Sequence, residues 1–459
     1  MMFPIRKKMV LTAVALGFAA ALSSAAAAAE RPEPPGSVLA ENGEHAYLVS
    51  KVVIVGNKRH TEEEIRRLVP EANRPLVRPA RLSKQLALLN DGQVMKIEAM
   101  FTPSGDREYT LLLAVEEVKN DHFAINVNNT GNDYTGDWRA GVSYMNTDLT
   151  KHGDALGLAY TTNPGKHIDD VIQAAVTYKA IFPHSGDTMY FTYSYSDVDM
   201  GTIASFGGLN IVATGQGHTA SAHYQRNMVY TRARRQTLDF GFDYKHYKNS
   251  QDWIGLKDSK HSYNVGLFSA TYHDLIRRGR DAFAWSIGWT TNLVGDKDDY
   301  HAIRAGSDTH FNIFRLDAAW QRQTQNDWLL NARAYGQWTN DDLIPSEMLG
   351  GGGFGSVRGF YERVAVGDKG LGGTFEIATP KWIPDTRLVA FFDAAYLANN
   401  TVNLGEEGHR NLAAFGAGVR YGSEKLGLYA SLFYAKPVSY GGLNGKHTRP
   451  WTFFLTKTF

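Results

Sequence analysis

Cysteine is absent from the whole chain of 459 residues. This absence excludes a disulfide framework, a zinc–thiolate site and a thiol nucleophile. An excess of charge of one sign is also lacking, because the chain has 48 Lys and Arg residues and 47 Asp and Glu residues. Nucleic-acid binding normally depends on a basic patch or stripe, so this balance gives no support for a nucleic-acid partner.

Enzyme motifs are also lacking. The sequence contains no Gly-x-Ser-x-Gly and no His-Glu-x-x-His, and its 15 histidines are not at metal-ligand spacing. The Gly-rich run at 350–355 lacks the Lys-Ser/Thr of a phosphate loop. His167, Asp169 and Asp170 could form a hydrolase dyad at an outer rim, but a solvated loop is the favoured interpretation. We therefore expect no enzyme, no cofactor and no metal site.

The N-terminus has the three parts of a secretory signal peptide. Arg6, Lys7 and Lys8 form a positive segment, 9–22 is apolar, and 23–29 consists of small residues. This pattern predicts a signal peptide over the first 29 residues. A membrane anchor helix is the alternative, but the apolar run is short for a full span.

Long apolar runs are missing after the signal. No run of about 18 apolar residues occurs there, so we expect no transmembrane helix. Only helices and closed barrels satisfy every backbone group in a bilayer, so an exported chain of this kind is either soluble or a β-barrel. Residues 30–46 contain Pro32, Pro34 and Pro35, which predicts a stiff polar linker.

A small domain is predicted at 47–119. A strand at 48–55 precedes a capping box formed by Thr61 and Glu64, which opens a first helix. Pro79 opens a second helix with leucines at helical spacing. Apolar alternation predicts two further strands, at 95–101 and 109–115. The order β-α-α-β-β describes a compact α+β domain.

From residue 120 to 459 the pattern changes to a period of two. Bacterial barrels have an even number of antiparallel strands, each of about ten residues. We predict sixteen strands, at 122–130, 135–146, 153–163, 169–181, 188–197, 215–226, 236–247, 262–274, 280–292, 308–323, 327–340, 370–379, 386–396, 409–422, 424–435 and 450–459. The sequence therefore predicts a transmembrane antiparallel β-barrel of about 16 strands.

The two faces of these strands differ in polarity. In one strand, Leu238, Phe240 and Phe242 alternate with Asp239 and Asp243. In a membrane barrel the apolar set faces lipid and the polar set lines a wet lumen. A large soluble β-protein also alternates, but it has no reason to expose aromatic rows opposite charged ones. An aromatic last strand ending at the C-terminus fits closure of the barrel.

A long loop at 341–369 interrupts the strands. Its glycine-rich segment allows a tight hairpin, with Arg358 at the tip. Asp393 and Glu376 lie on the lumenal faces of later strands. A guanidinium binds a carboxylate through two parallel hydrogen bonds, so we predict that Arg358 pairs with Asp393. Charge reversal at either position should impair function, and the double swap should partly restore it.

These residues resemble motifs of the POTRA-bearing outer-membrane transporter superfamily, the BamA-type barrels. Val357-Arg358-Gly359-Phe360 resembles the tip of that family's sixth loop, and Phe391-Phe392-Asp393-Ala394-Ala395 its Phe-x-Asp-x-Gly strand, with Ala395 replacing glycine. Gly372-Gly373-Thr374-Phe375-Glu376 resembles the strand between them. The domain at 47–119 resembles a POTRA domain.

Within the superfamily the chain is most similar to two-partner secretion transporters, the TpsB group (ShlB/FhaC-like). Asn128–Gly131 and Tyr134–Trp138 are similar to that group's first barrel hairpin, and Arg74-Pro75-Leu76 also fits. Members commonly carry two POTRA domains and a plug helix, whereas we recognise one such domain here. The resemblance implies a loop anchor with barrel-wall partners at Val357, Arg358, Gly359, Phe360, Phe375, Glu376, Phe391 and Asp393.

The implied function is secretion of a partner polypeptide, a haemolysin- or adhesin-type exoprotein, across the outer membrane. The POTRA-like domain would capture the unfolded substrate in the periplasm, and the barrel would contact outer-membrane lipid. Two alternatives stay open. One is an outer-membrane protein assembly or insertion factor, which usually has a longer POTRA array, and the other is a passive porin, which has no need of a POTRA-like domain.

Overall fold

A computed structural model describes most of the chain. The described residues are 38–39, 45–131, 136–165, 171–197, 201–206, 209–213, 217–250 and 260–459. The predicted signal peptide at 1–29 and most of the predicted linker at 30–46 lie outside them, as do His167 to Asp170 and part of the predicted first barrel hairpin.

An N-terminal unit precedes the barrel. Its elements are β1 (Val38–Leu39), β2 (His45–Val55), α1 (Glu62–Leu68), a short 3-10 helix (Pro70–Asn73), β3 (Leu76–Val77), α2 (Pro79–Asp91), β4 (Lys96–Pro103) and β5 (Glu108–Glu116). The capping box at the start of α1 is formed, with the Thr61 hydroxyl accepting from the Glu64 N–H and the Glu64 carboxylate accepting from the Thr61 N–H. Pro79 occupies the first turn of α2, where its missing N–H costs no helical bond.

The sheet of this unit has the order β1-β2-β5-β4. Strand β2 runs parallel to β5, whereas β4 is antiparallel to β5 and lies at an edge of the sheet. The two helices cover one face, because their apolar sides and the inward residues of the strands form one core. Its most deeply buried members include Ile65, Leu82, Leu89, Met95 and Leu111.

Sixteen antiparallel strands form a closed barrel. They are β6 (Asp121–Asn128), β7 (Arg139–Asn146), β8 (Ala155–Thr162), β9 (Gln173–Phe182), β10 (Asp187–Ser196), β13 (Gly217–Tyr230), β14 (Arg234–Ser250), β15 (Lys260–Arg278), β16 (Asp281–Val294), β17 (Asn312–Gln323), β18 (Leu329–Trp338), β22 (Lys369–Ala378), β23 (Thr386–Ala398), β24 (His409–Ser423), β25 (Leu428–Tyr440) and β27 (Trp451–Thr458). The last strand pairs with the first, β27 with β6. The predicted barrel of about sixteen strands is confirmed, and each predicted segment overlaps an observed strand.

Smaller elements lie between the barrel strands. They are β11 (Gly201–Phe206), β12 (Leu209–Ala213), α3 (Lys297–Ile303), β19 (Leu349–Gly351), β20 (Gly359–Phe360), β21 (Ala365–Gly367), a second 3-10 helix (Gly445–His447) and β26 (Thr448–Arg449). No helix among the described residues is long and apolar enough to cross a membrane.

The outer wall is apolar and the inner wall is polar. On β14, Phe240 and Phe242 are about two-fifths exposed, whereas Asp239, which precedes Phe240 and points to the opposite face, is buried. The C=O and N–H groups are paired from strand to strand around the closed ring, which a hydrocarbon surrounding requires. Residues that alternate outward therefore form the lipid-facing surface.

The two ends of the barrel differ. At one end, here the turn end, short turns join the strands, such as 183–186 and 279–280. At the other end, the loop end, the connections are long and contain α3 and β19 to β21. The N-terminal unit lies against the turn end, where the Lys84 ammonium donates to the Ser185 carbonyl (2.7 Å) and Asp91 pairs with Arg235.

Candidate functional site

The long loop between β18 and β22 folds along the inside of the barrel. Strands β19 and β21 pair with each other, and β20 at the tip pairs with β26, which precedes the last barrel strand. Gly359 has φ +94°, and a Cβ there would meet Ala435 Cβ at 3.1 Å and Pro437 Cδ at 3.3 Å. Glycine is needed at this position both for the backbone conformation and for the close approach to β25.

Arg358 at the loop tip contacts Asp393 on the lumenal face of β23. Its Nε donates to Asp393 Oδ2 (2.8 Å) and its Nη2 donates to Oδ1 (2.9 Å), which is a bidentate pair. The backbone N–H of Arg358 also donates to Asp393 Oδ2 (3.0 Å). Arg358 is 5% exposed and Asp393 is 0% exposed, so solvent screens this pair very little.

A second carboxylate completes the charge balance. Arg358 Nη1 donates to Glu376 Oε2 (3.1 Å) on β22, and Arg420 Nη1 on β24 lies 2.9 Å from Glu376 Oε1. Thr374 donates its hydroxyl to Asp393 and accepts from Arg358 Nη2 (3.1 Å). Two guanidinium groups and two carboxylates thus form a neutral, hydrogen-bonded network, which offsets the desolvation of each charge.

Two aromatic rings pack against the guanidinium. The Arg358 Cζ atom lies 3.4 Å from the centroid of the Phe391 ring and 5.4 Å from that of Phe433. Phe354 from the same loop packs on Phe433, with ring centroids 5.9 Å apart. The rings exclude water from the ion pairs and add a cation–π attraction, which is larger at desolvated sites.

Apolar contacts hold the residues on both sides of Arg358. Val357 is 0% exposed and Phe360 is 2% exposed. They share a buried cluster with Ala365, Ala395, Leu397, Leu412 and Ala414. The loop tip is therefore fixed by charge, by strand pairing and by packing together.

Seven of the eight residues that the sequence analysis names are brought together here. Phe375 is not part of the cluster, because it is 49% exposed on the outer wall. The reason is strand alternation: Thr374 and Glu376 point into the lumen, so the residue between them must point outward. Phe375 is a lipid-facing residue and takes no part in anchoring the loop.

Sequence reasoning missed a second buried arginine, Arg304, which follows α3 at the loop end. Its Nε donates to Glu406 Oε1 (2.8 Å), and its Nη1 donates to Asp368 Oδ1 (3.0 Å) and to the Leu343 carbonyl (2.9 Å). Its Nη2 donates to the Thr401 carbonyl (2.9 Å). Arg304 is 3% exposed.

Arg304 connects three loop-end connections. Asp368 lies at the base of the long loop and also accepts from the backbone N–H of Leu343 (2.8 Å) and of Asn400 (2.8 Å). Glu406 belongs to the connection between β23 and β24. No local motif marks Arg304, because its partners lie at distances of 39 to 102 residues along the chain.

The N-terminal unit meets the barrel through a buried histidine. His60 Nε2 lies 2.6 Å from Asp148 Oδ2 in the turn between β7 and β8, and its Nδ1 lies 3.4 Å from Glu117 Oε1. The hydrogen bond to Asp148 raises the pKa of His60 above its ordinary value, although burial opposes it. This contact joins the unit, the connecting segment and the barrel.

Glu117 organises the connecting segment. Burial raises the pKa of this carboxyl group, but three backbone N–H groups outweigh that effect and lower the pKa to about 2. They belong to Lys58, Arg59 and His60. Glu117 is therefore ionised at every physiological pH and keeps the negative charge that faces His60.

A closed sixteen-stranded barrel with an apolar outer wall, a polar lumen and an inward-folded loop defines an outer-membrane β-barrel protein. The family described as "Haemolysin secretion/activation protein ShlB/FhaC/HecB" matches residues 109–421, well over half of the chain. The chain belongs to this family. Its turn end, with the N-terminal unit, therefore faces the periplasm, and its loop end is extracellular.

The curated relatives have low sequence identity to this chain. The heme/hemopexin transporter protein HuxB of Haemophilus influenzae is 22% identical over 267 residues, which is 57% of this chain and 46% of HuxB. The chain thus spans about half the length of the curated relatives it matches.

Solved structures share the fold. CdiB from Acinetobacter baumannii superposes with a TM-score of 0.70 at 16% identity, covering 91% of this chain and 76% of that one. CdiB from Escherichia coli gives 0.68 at 17% identity, covering 96% and 95%. BamA from Haemophilus ducreyi lacking POTRA domains 1-3 gives 0.56 at 15% identity, covering 90% and 85%.

Proposed function

We propose that this protein secretes a partner polypeptide across the outer membrane, from the periplasm to the cell surface. The observation that carries the proposal is the loop tip held in the lumen by Arg358, in a barrel whose family is defined by haemolysin secretion and activation. The partner would be an exoprotein of the haemolysin or adhesin type, and neither nucleotide nor metal is required.

The lumen suits an extended polypeptide. Its wall carries both signs of charge, for example the Arg333–Asp317 pair (2.6 Å) and the Lys245–Glu347 pair (2.9 Å). An unfolded chain exposes backbone N–H and C=O groups that must remain solvated or hydrogen-bonded during passage. A polar, charge-balanced wall provides such partners without trapping a chain of either charge.

The N-terminal unit is proposed to be a POTRA domain that captures the substrate. Strand β4 lies at the edge of its sheet, and Met100 on that strand is 61% exposed. An extended segment can add to such an edge through main-chain hydrogen bonds, which makes capture tolerant of sequence. The unit is docked at the turn end, so a captured segment would lie next to the pore mouth.

Arg358 would act as a positioning residue during transport. Its network fixes the loop tip against β22 to β24. The loop would then either stay in place while the substrate passes, or leave the lumen in one step when the network breaks. In both cases, removal of the guanidinium leaves Asp393 as a buried carboxylate without its ion-pair partner. The transport pathway would then lose its defined shape.

The test compares culture media and outer membranes of cells with and without the gene. We expect one or a few large exported proteins to disappear from the medium while other barrels persist. Complementation with the full chain should restore them, and Arg358→Ala should not. Lys446→Ala, at an exposed position in the loop before β26, is the matched control and should complement fully.

The alternative of an assembly factor makes a different forecast for the same samples. Many outer-membrane barrels would decline together, and the medium would change only secondarily. That result would overturn the secretion proposal. Loss of neither set would leave a passive porin.

A further inference from the structure

The outer wall carries a row of arginines at its periplasmic end. Four of the five neighbouring strands β13 to β17 contribute one exposed arginine each: Arg226, Arg234, Arg278 and Arg322. The chain as a whole is nearly neutral, so this is a local concentration of positive charge. We name these four residues the arginine arc.

Strand register shows that the arc points outward. Arg234 is paired with Ile276, which is 37% exposed on the lipid-facing wall. Arg226 is paired with the outward Leu238, in the row of Phe240 and Phe242. Paired residues in a sheet project from the same face, so these side chains leave the barrel on the membrane side and not toward the pore.

Arg278 and Arg322 lie in the same outward row. Both are paired in register with Asp281, and the next outward residue along β16 is Phe283, which is 40% exposed. By contrast, Arg235, the inward neighbour of Arg234, turns to the pore side and pairs with Asp91 of the N-terminal unit. Two adjacent arginines on β14 thus point to different sides of the barrel wall, Arg234 to the membrane side and Arg235 to the pore side.

The carboxylates nearby do not neutralise the arc. Asp274 binds Arg234 (2.7 Å), and Asp281 lies 3.8 Å from Arg322 across an exposed surface. Among the residues that the structure describes, no carboxylate forms an ion pair with Arg226 or Arg278. Two guanidinium groups therefore remain available beside an apolar wall.

The opposite arc of the same rim has a different chemistry. The turns next to β18 and β22 to β25 expose apolar side chains there, namely Trp382 (66%), Ile383 (61%) and Leu426 (51%). Aromatic residues are usual at a bilayer interface. The exposed basic residues of these turns are Lys381 and Lys425, whereas the four arginines of the arc lie together on the other side of the barrel.

We propose that the arginine arc binds the phosphate group of an anionic phospholipid in the periplasmic leaflet. Guanidinium groups recognise phosphate through paired N–H donors, and they lose less hydration than ammonium groups. Exposed Ile276 and Phe283 form the next outward pair after Arg278 and Asp281, on the side toward the membrane centre, where they would contact the acyl chains. The arginines would thus bind the lipid headgroup, and the neighbouring apolar side chains would contact its acyl chains.

The test uses the full chain in nanodiscs of phosphatidylethanolamine with a minority of phosphatidylglycerol. Native mass spectrometry after release from the nanodisc counts the lipids that stay bound. We expect wild type to retain phosphatidylglycerol in preference to phosphatidylethanolamine. Arg226→Gln/Arg278→Gln should lower that retention by about tenfold or more, since each basic residue near an anionic surface contributes on the order of 1 kcal/mol.

Matched variants isolate the local site from general charge. Lys381→Gln/Lys425→Gln removes two positive charges from the opposite side of the same rim and should retain the lipid as wild type does. Arg226→Lys/Arg278→Lys keeps the charge but not the paired donors, and should give intermediate retention. Heat-modifiable electrophoretic mobility shows whether each variant is folded.

Three results would overturn the proposal. The first is equal retention of phosphatidylglycerol by wild type and the folded Arg226→Gln/Arg278→Gln variant. The second is displacement of the lipid by an equal concentration of inorganic phosphate, which would indicate a bare anion site. The third is arginine-dependent binding of poly-glutamate with no preference among lipids, which would indicate an acidic polypeptide instead.

Discussion

Arg358 and Arg304 are two buried arginines that hold the same loop, one at its tip and one at its base. Arg358 binds carboxylates on two neighbouring barrel strands, β22 and β23, whereas Arg304 joins its own extracellular connection to two others. Both have carboxylate and hydrogen-bond partners for the guanidinium. The difference is rigidity: the partners of Arg358 lie on paired strands, and those of Arg304 lie on loops. A charge network on paired strands can fix the position of the loop tip, whereas a charge network between loops can separate when the loops move.

The largest expected effect is that of Arg358→Ala. It leaves Asp393 buried without its ion pair, and breaking a buried pair costs about 3–5 kcal/mol. We expect a loss near the upper end, because Asp393 is 0% exposed and cannot regain water. Urea unfolding of the refolded barrel, followed by heat-modifiable mobility, measures it. Wild-type stability and secretion in this variant would refute the anchoring role.

The double swap sharpens the same point. The sequence alone predicts partial rescue by Arg358→Asp/Asp393→Arg. In the structure, an aspartate at position 358 would face Glu376, and an arginine at position 393 would lose the stacking on Phe391. We therefore expect little rescue. Recovery of half or more of wild-type secretion would show that the Arg–Asp pair acts independently of its surroundings.

Arg304→Ala should have a smaller effect on stability and a different phenotype. Asp368 is 0% exposed but keeps the backbone N–H donors of Leu343 and Asn400, and Glu406 has a partly exposed side chain, so the loss should fall near 3 kcal/mol, the lower end of the range for broken buried pairs. Because loops and not strands are released, we expect higher single-channel conductance in planar bilayers with secretion retained. If Arg304→Ala abolishes secretion as Arg358→Ala does, the two anchors are not functionally distinct.

Phe391→Leu tests the aromatic part of the Arg358 site. It keeps the ion pairs but removes the ring 3.4 Å from the guanidinium, so we expect a loss of about 1–2 kcal/mol. Phe392→Leu is the control, since that neighbour is 49% exposed on the outer wall. The same urea unfolding assay serves for both. Equal losses in the two variants would exclude a specific stacking contribution.

The smallest expected effect concerns pH at His60. Asp148 raises the pKa of His60 above the ordinary value of about 6.5. A raised pKa in the folded state stabilises the contact fully below about pH 6.5, and the stabilisation is lost as the pH rises through the folded-state pKa. The protection factors of the amides in the turn 147–154, which correct for the base-catalysed intrinsic exchange rate, should therefore fall on going from acid to mildly alkaline pH.

His60→Gln should remove most of that pH dependence. His152, an exposed neighbour in the same turn, is the matched control, and His152→Gln should preserve it. A slope unchanged in His60→Gln would assign the pH response to another group.

Much of the barrel could be predicted because its pattern is local. A strand that separates lipid from water must alternate, so each of the sixteen strands carries its own signal. Arg358 and Asp393 could be named because each lies in a short motif. Phe375 was placed wrongly at the loop anchor, because resemblance selects a segment whereas alternation decides which of its residues face the loop.

The sequence by itself determined the strand count, the two faces of the wall, the helix starts at Thr61 and Pro79, and the arginine at the loop tip. These follow from nearest-neighbour rules of period, capping and turn formation. Only the tertiary structure decided which residues bind the Arg304 guanidinium and which arginines line the outer periplasmic rim. Those groupings join residues from distant strands and loops, and their geometry arises only when the barrel closes and sets the register of every strand.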